Sequence, residues 1–172
     1  RINITIFKLW WDIFVDECYQ YGINFEYERS KKGHCMKNKT VLISAGGTGG
    51  HIVPALVLCE EFMEKGWHVV FVGNKDSLEE KMITVRHIQF LGIDVQKLYR
   101  NWTFQHVKFP VKLIKSVVTS YQIIKLYQPK IVVGTGGFVC GPVGLAAIFA
   151  RVPLFLQEQN SFPGITTRFL GR

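Results

Sequence analysis

The stretch Val41-Leu42-Ile43-Ser44-Ala45-Gly46-Gly47-Thr48-Gly49-Gly50-His51 decides how this chain is read. Its first four residues, three of them large and apolar, read as a short buried strand. Four glycines in the five positions 46–50 let the backbone turn sharply and come close to a ligand. A helix is predicted next, over Ile52 to Lys65: Leu56, Cys59, Phe62 and Met63 share one face, and Gly66 ends it. Free N–H groups and the positive end of the helix dipole then meet at the glycine loop, which suits a phosphate or diphosphate. Two common phosphate motifs are excluded by spacing. A G-x-G-x-x-G fingerprint read from Gly47 needs glycine at position 52, where Ile52 stands, and no Gly-Lys-Ser/Thr closes a P-loop. A tight turn without a ligand is the plainer alternative, but a mere turn does not need four glycines.

The same alternation runs outward along the chain. Strands are predicted at His68 to Val72, Asp94 to Leu98, Ile131 to Val133 and Pro153 to Leu156. Between them, a helix capped by Ser77 and Glu80 runs to about Gln89. A long helix spans Pro110 to Tyr127 and stops at Pro129, a small-residue helix spans Pro142 to Ala150, and another begins near Gly164. Such alternation predicts the α/β class: a Rossmann-like parallel sheet with helices on both faces. Ligands of these sheets bind at the carboxyl ends of the strands.

Two more loops at those ends carry chemistry. Gly134-Thr135-Gly136-Gly137-Phe138-Val139-Cys140-Gly141-Pro142 is a second glycine loop that opens a helix. Two such loops at one sheet edge can grip one diphosphate from two sides. Gln157-Glu158-Gln159-Asn160 puts four polar side chains directly after an apolar strand. Glu158 can accept from a hydroxyl, and Asn160 can bond a sugar or a phosphate oxygen, or simply cap a helix.

Length and charge bound the rest. The chain has 172 residues, 48% of them hydrophobic and 20% charged, enough for one domain with a real core. Cys18, Cys35, Cys59 and Cys140 form no CxxC pair, which argues against a disulfide scaffold or zinc module and fits a reducing cytosol. No apolar run is long enough to span a bilayer, and no secretory signal is visible. Residues 1–35 are aromatic-rich, without a clear period and without net charge; they read as an upstream extension, with Met36 as the expected natural start of a domain over 36–172. The net charge of +8 therefore comes from the remainder, and Lys97 to Lys130 holds seven bases and no acid. Within it, Arg100, Trp102, Phe104, Lys108, Phe109, Lys112 and Lys115 mix bases with large apolar groups, as a membrane-surface segment does. A solvated basic helix face is the plainer reading. Nucleic acid is not expected as a partner, because no stacking or base-reading module is present.

Together, Gly46-Gly47-Thr48-Gly49-Gly50-His51, Gly134-Thr135-Gly136-Gly137-Phe138 and Glu158-Gln159-Asn160 resemble the MurG family of peptidoglycan glycosyltransferases. The likeness covers about Met36 to Arg172. It implies the N-terminal, acceptor-binding half of a two-domain GT-B enzyme. That enzyme moves N-acetylglucosamine from UDP-N-acetylglucosamine to lipid I, inverts the anomeric centre, and needs no metal or other cofactor. The resemblance implies that Gly47, Thr48, Gly49 and Gly50 cradle the acceptor diphosphate. His51 assists deprotonation of the attacking hydroxyl or orients the phosphate. Gly136, Gly137 and Phe138 form a second wall, and Glu158, Gln159 and Asn160 line the acceptor sugar or the cleft. It further implies a peripheral place on the cytoplasmic face of the bacterial membrane, against an anionic leaflet. A C-terminal domain beyond this chain would hold the UDP-sugar. Phe138 stands where the family often has Tyr, so it serves as a wall only, and Thr167 stands where Asn is common. The rival expectation is a non-catalytic subunit that anchors or recruits a separate catalytic half.

Overall fold

The computed structural model describes residues 39–47, 49–95, 109–159 and 164–171. The expected extension over 1–35, Thr48, Asn160 and the membrane-surface residues Arg100, Trp102, Phe104 and Lys108 lie outside the described residues, as does the side chain of Phe109.

The elements alternate: β1 (Thr40–Ser44), α1 (Gly49–Glu64), β2 (His68–Asn74), α2 (Leu78–Thr84), β3 (Gln89–Ile93), α3 (Phe109–Tyr127), β4 (Ile131–Gly134), α4 (Cys140–Ala150), β5 (Leu154–Leu156) and α5 (Ile165–Leu170). All strand pairs are parallel, in the order β3-β2-β1-β4-β5. The α/β, Rossmann-like sheet predicted from the alternation is therefore observed. The chain moves one way from β1 to β3 and the opposite way from β4 to β5. Right-handed crossovers then put α1 and α2 on one face and α3 and α4 on the other.

Strand alternation assigns the two cores. Leu42, Val72, Ile93 and Val132 face α3 and α4, where they cluster with Ile124, Val143, Ala146 and Ala147. Val41, Ile43, Phe71, Ile131 and Val133 have the opposite parity and are fully buried, as are Ala55, Leu58, Cys59 and Phe62 of α1. Each large apolar side chain removed from water in this way contributes roughly 1.5–3 kcal/mol. Phe62 meets Trp67 edge to face at 5.4 Å, which closes the turn after α1.

Three boundaries differ from expectation. The third described strand is Gln89–Ile93, which pairs with β2 from Val70↔Gln89 to Asn74↔Ile93; Asp94 and Val95 of the expected strand Asp94 to Leu98 are outside it, and residues 96–98 lie outside the described residues. The preceding helix ends at Thr84 rather than near Gln89. A turn follows it, with His87 at φ 56, and this turn resets the chain before the strand. The Asn74 side chain accepts from Val95 N–H at 3.1 Å and so draws the chain across the end of β2 as it leaves β3. Helix α1 starts at Gly49, three residues before the expected Ile52, so Gly49, Gly50 and His51 form its first turn.

Candidate active site

The order of the sheet reverses between β1 and β4. A crevice is expected outside the strand ends at such a point, and both glycine loops lie there. Ser44 is the register partner of Gly134, and Thr135 N–H donates to the Ser44 carbonyl at 3.0 Å, so the two loops leave the sheet side by side.

Glycine is required where the loops touch. Gly136 and Gly137 have φ of +107 and +85, a region that side chains disfavour. A Cβ on Gly137 would overlap the carbonyl of Gly46, and one on Gly136 would lie 2.5 Å from His51 Nδ1. Gly47 (φ +102) passes under Phe138, whose ring would stand 3.2 Å from an added Cβ. Gly49 differs: a Cβ there would meet nothing within 4 Å. Its bareness serves no packing, and it keeps the N-terminus of α1 open. The first N–H groups of a helix have no partner within the helix, so an anion is favoured there.

His51 joins the first loop to the second and third. Its Nδ1 is 3.1 Å from the Thr135 carbonyl and 3.0 Å from Gln159 Oε1. Gln159 Nε2 donates to the same Thr135 carbonyl at 3.0 Å, and Thr135 Oγ1 donates back to the His51 carbonyl at 2.8 Å. Residues 84 and 108 positions apart are thus held in one ring of hydrogen bonds.

A second ring lies beneath. The fully buried Cys140 thiol is 3.0 Å from the Gly136 carbonyl and 3.2 Å from the Ser44 carbonyl, and it accepts from Gly136 N–H at 3.3 Å and from Ser44 Oγ at 3.4 Å. Burial pushes this thiol up to about 11, although the Ser44 hydrogen bond opposes the shift. It is a buried clamp across the ends of β1 and β4 rather than a nucleophile.

The structure therefore brings together Gly47, His51, Gly136, Gly137, Phe138 and Gln159, with Gly49 and Gly50 on the first turn of α1. Glu158 has a partner in another direction: its Oε2 accepts from Gly164 N–H at 3.0 Å and from Thr167 Oγ1 at 2.9 Å, at the start of α5. Sequence reasoning missed Thr135, Ser44 and Cys140. Thr135 was legible in principle, as the one polar residue inside the second glycine loop. A cysteine without a CxxC partner carries no such signal. Among the described residues, no group of three or more His, Cys, Asp or Glu converges as a metal site requires.

A second surface feature lies on α3. On α3, Ser116 and Ser120 are buried, and the Ser116 hydroxyl donates to the Asp94 carbonyl at 2.7 Å. The outer face instead exposes Val111 (68%), Ile114 (63%), Val118 (49%) and Leu126 (76%). Lys112, Lys115 and Lys125 are exposed among them. The apolar row continues well past Lys115, where the sequence reading stopped. None of the described helices is long and apolar enough to cross a membrane.

Comparisons with known proteins place the chain in a family. The glycosyltransferase family 28 N-terminal domain matches residues 41–172. The UDP-N-acetylglucosamine–N-acetylmuramyl-(pentapeptide) pyrophosphoryl-undecaprenol N-acetylglucosamine transferase of Natranaerobius thermophilus is 42% identical over 134 residues, covering 77% of this chain and 36% of that enzyme. The enzyme of the same name from Lactococcus lactis is also 42% identical, over 77% of this chain and 38% of its own length. The chain thus spans little more than a third of the curated relatives it matches. Among solved structures, MurG of Acinetobacter baumannii aligns with a TM-score of 0.70 and 31% identity, over 78% of this chain and 39% of that one. A Streptomyces glycosyltransferase, SsfS6, aligns at 0.52 with 14% identity, over 78% of this chain and 42% of its own, which shows a shared fold alone. With the matched domain running from the first strand to the last residue, over a sheet and glycine loops of the expected order, the chain belongs to glycosyltransferase family 28.

Proposed function

We propose that this chain is the acceptor-binding part of an enzyme that moves N-acetylglucosamine from UDP-N-acetylglucosamine to lipid I, giving lipid II for peptidoglycan. The observation that carries the proposal is His51 on the first turn of α1, bonded across to Thr135 and Gln159 where two glycine loops meet. The relatives named above support the choice of substrates.

On this reading the diphosphate of lipid I lies on the N–H groups of Gly49 and Gly50, with Gly47, Thr48, Gly136 and Gly137 as the walls of the cradle. Phe138 backs Gly47. Glu158, Gln159 and Asn160 border the sugar. The acceptor hydroxyl attacks the anomeric carbon; a new C–O bond forms as the bond to UDP breaks, with inversion. The hydroxyl proton passes to His51. The donor belongs with a second domain. Transfer by direct displacement asks the protein to position two substrates and accept one proton, tasks that need no metal.

The exposed face of α3 supports a peripheral seat on the cytoplasmic leaflet, where lipid I is presented. Its apolar row would enter the headgroup boundary while Lys112, Lys115 and Lys125 face anionic lipid. Arg100, Trp102, Phe104, Lys108 and Phe109 precede that face in sequence and belong to the same proposed surface.

The test is binding of the intact protein to vesicles with and without lipid I, at two salt concentrations. Binding should rise with lipid I, and the rise should vanish in Gly49→Ala and His51→Ala. Equal binding to both kinds of vesicle, fading with salt, would sink the acceptor site and leave only a basic membrane-surface domain.

A further inference from the structure

Gln159 stands in the proposed acceptor site, yet its side-chain bonds run to the protein. Its Oε1 lies 3.0 Å from His51 Nδ1, and its Nε2 donates to the Thr135 carbonyl at 3.0 Å. We propose that Gln159 is a positioning residue: with the Thr135 carbonyl, it fixes the proton of His51 on Nδ1 and leaves Nε2 as the basic nitrogen.

The geometry allows one consistent set of protons. The Thr135 carbonyl only accepts, and it faces both His51 Nδ1 and the Gln159 amide. If the Gln159 amide were turned over, its oxygen would face the carbonyl of Thr135. Its NH2 would then point at Nδ1 and require a lone pair there, and that lone pair would confront the Thr135 oxygen at 3.1 Å. Two repulsive contacts would replace two hydrogen bonds. With Nε2 of Gln159 on the carbonyl and its oxygen on the imidazole, every contact is a donor meeting an acceptor, and Nδ1 must carry the hydrogen. Thr135 is fully buried, so its carbonyl has no loose position to relax into.

The assignment matters because a free histidine side chain prefers the opposite tautomer, with its proton on Nε2. Which nitrogen is protonated follows from the bond that the other one makes. An unanchored His51 would turn a protonated nitrogen toward the acceptor, and that nitrogen cannot take a proton. Thr135 Oγ1, donating to the His51 carbonyl at 2.8 Å, holds the backbone of the same residue. The β4 loop thus fixes where His51 sits, and the third loop completes the choice of its proton.

The test begins with nitrogen-15 labelling of histidine in the intact protein, followed by two-bond proton–nitrogen correlation spectra above the pH at which the imidazoles titrate. The His51 signals are identified by their loss in His51→Asn. In the parent protein Nδ1 should be the protonated nitrogen. In Gln159→Leu the signals should move toward the Nε2–H tautomer. Gln159→Glu loses the donor to Thr135 but keeps an acceptor toward Nδ1, and should keep Nδ1–H. A parent His51 protonated on Nε2, or a Gln159→Leu spectrum unchanged from the parent, overturns the proposal. The kinetic arm rests on the transfer reading above. There, kcat should fall about tenfold in Gln159→Leu with little change in KM for lipid I, and Gln159→Glu should recover part of it. The spectra do not depend on any substrate, so a wrong tautomer and a wrong reaction give different failures.

Discussion

Gly137 lies against Gly46 backbone to backbone: the carbonyl oxygen of Gly46 occupies the place where a side chain on Gly137 would begin. The two glycine loops are therefore a single packed unit. Gly137→Ala must displace one loop from the other and hold alanine at φ +85. A strained residue of this kind costs of order 1–3 kcal/mol. We expect a lower midpoint in urea unfolding at unchanged slope, together with loss of lipid I binding.

Gly49→Ala should behave in the opposite way. Its added methyl meets nothing within 4 Å, and the residue lies in helical backbone. Alanine is favoured over glycine in a helix interior by roughly 0.5–1 kcal/mol, and somewhat less at its end. Stability should thus be equal or slightly higher, while binding of the diphosphate should fall, because the methyl stands in the space left for it. A Gly49→Ala protein that binds lipid I as the parent does would show that the open N-terminus of α1 is not the anion seat.

These two glycines mark how far the sequence could be read. Both belong to motifs visible in the chain, and the loops, their order and the parallel sheet follow from the strand-helix alternation. Which glycine serves packing and which serves a ligand is a matter of distances across the sheet. Gly137 meets Gly46 some ninety positions away, and no local pattern encodes that contact. The strand at Gln89–Ile93 escapes local reading for a different reason. Gln89-Phe90-Leu91-Gly92-Ile93 begins with a polar residue and contains a glycine, so its β character comes from pairing with β2 and not from its own composition. Thr135 and Cys140 tie the loops together through hydrogen bonds to partners distant in sequence, and such bonds leave no periodic trace.

His51→Ala should lower kcat for transfer in the intact protein by about 10²–10⁴-fold, the usual contribution of a positioned acid or base. Part of any loss of stability would come from the two lost bonds to Thr135 and Gln159. The unfolding midpoint should be measured beside the rate, and a fold lost together with activity would leave the base role without support.

The clamp under the site gives a pH dependence with a definite sign. Burial raises the Cys140 thiol from 9.0 to about 11 in the folded chain. Below pH 9 the thiol is protonated in both the folded and the unfolded state and adds no pH dependence. Between pH 9 and 11 the unfolded chain loses the proton while the folded one keeps it. The unfolded state then binds fewer protons, and stability falls as pH rises through that window. The rise from 9.0 to about 11 corresponds to about 3 kcal/mol for this one group. Cys59 is shifted in the same direction by burial, with Glu60 adding to the effect. In Cys140→Ala the alkaline slope of unfolding free energy should be shallower, even though the starting stability is lower. Burial and the raised thiol should together make a thiol reagent at pH 8 react with Cys140 far more slowly than with an ordinary thiol until the protein unfolds.

The outer face of α3 tests the proposed seat on the membrane. Val111, Ile114, Val118 and Leu126 are exposed at helical spacing, with no acid between Lys97 and Lys130 to oppose the lysines. A base near an anionic surface contributes about 1 kcal/mol. Reversing two of them, in Lys112→Glu with Lys115→Glu, should remove at least about 2 kcal/mol of attraction, a loss of some thirtyfold in partitioning to vesicles rich in anionic lipid. Both side chains are exposed, so the fold should be unaffected, and the unfolding midpoint should stay within error of the parent. Ile114→Ser with Val118→Ser should weaken binding to anionic and neutral vesicles alike, because it removes the buried apolar contribution and leaves the charge in place. If charge reversal leaves partitioning unchanged while lipid I is still bound, this helix does not face the leaflet, and the acceptor reaches the glycine loops from another side of the domain.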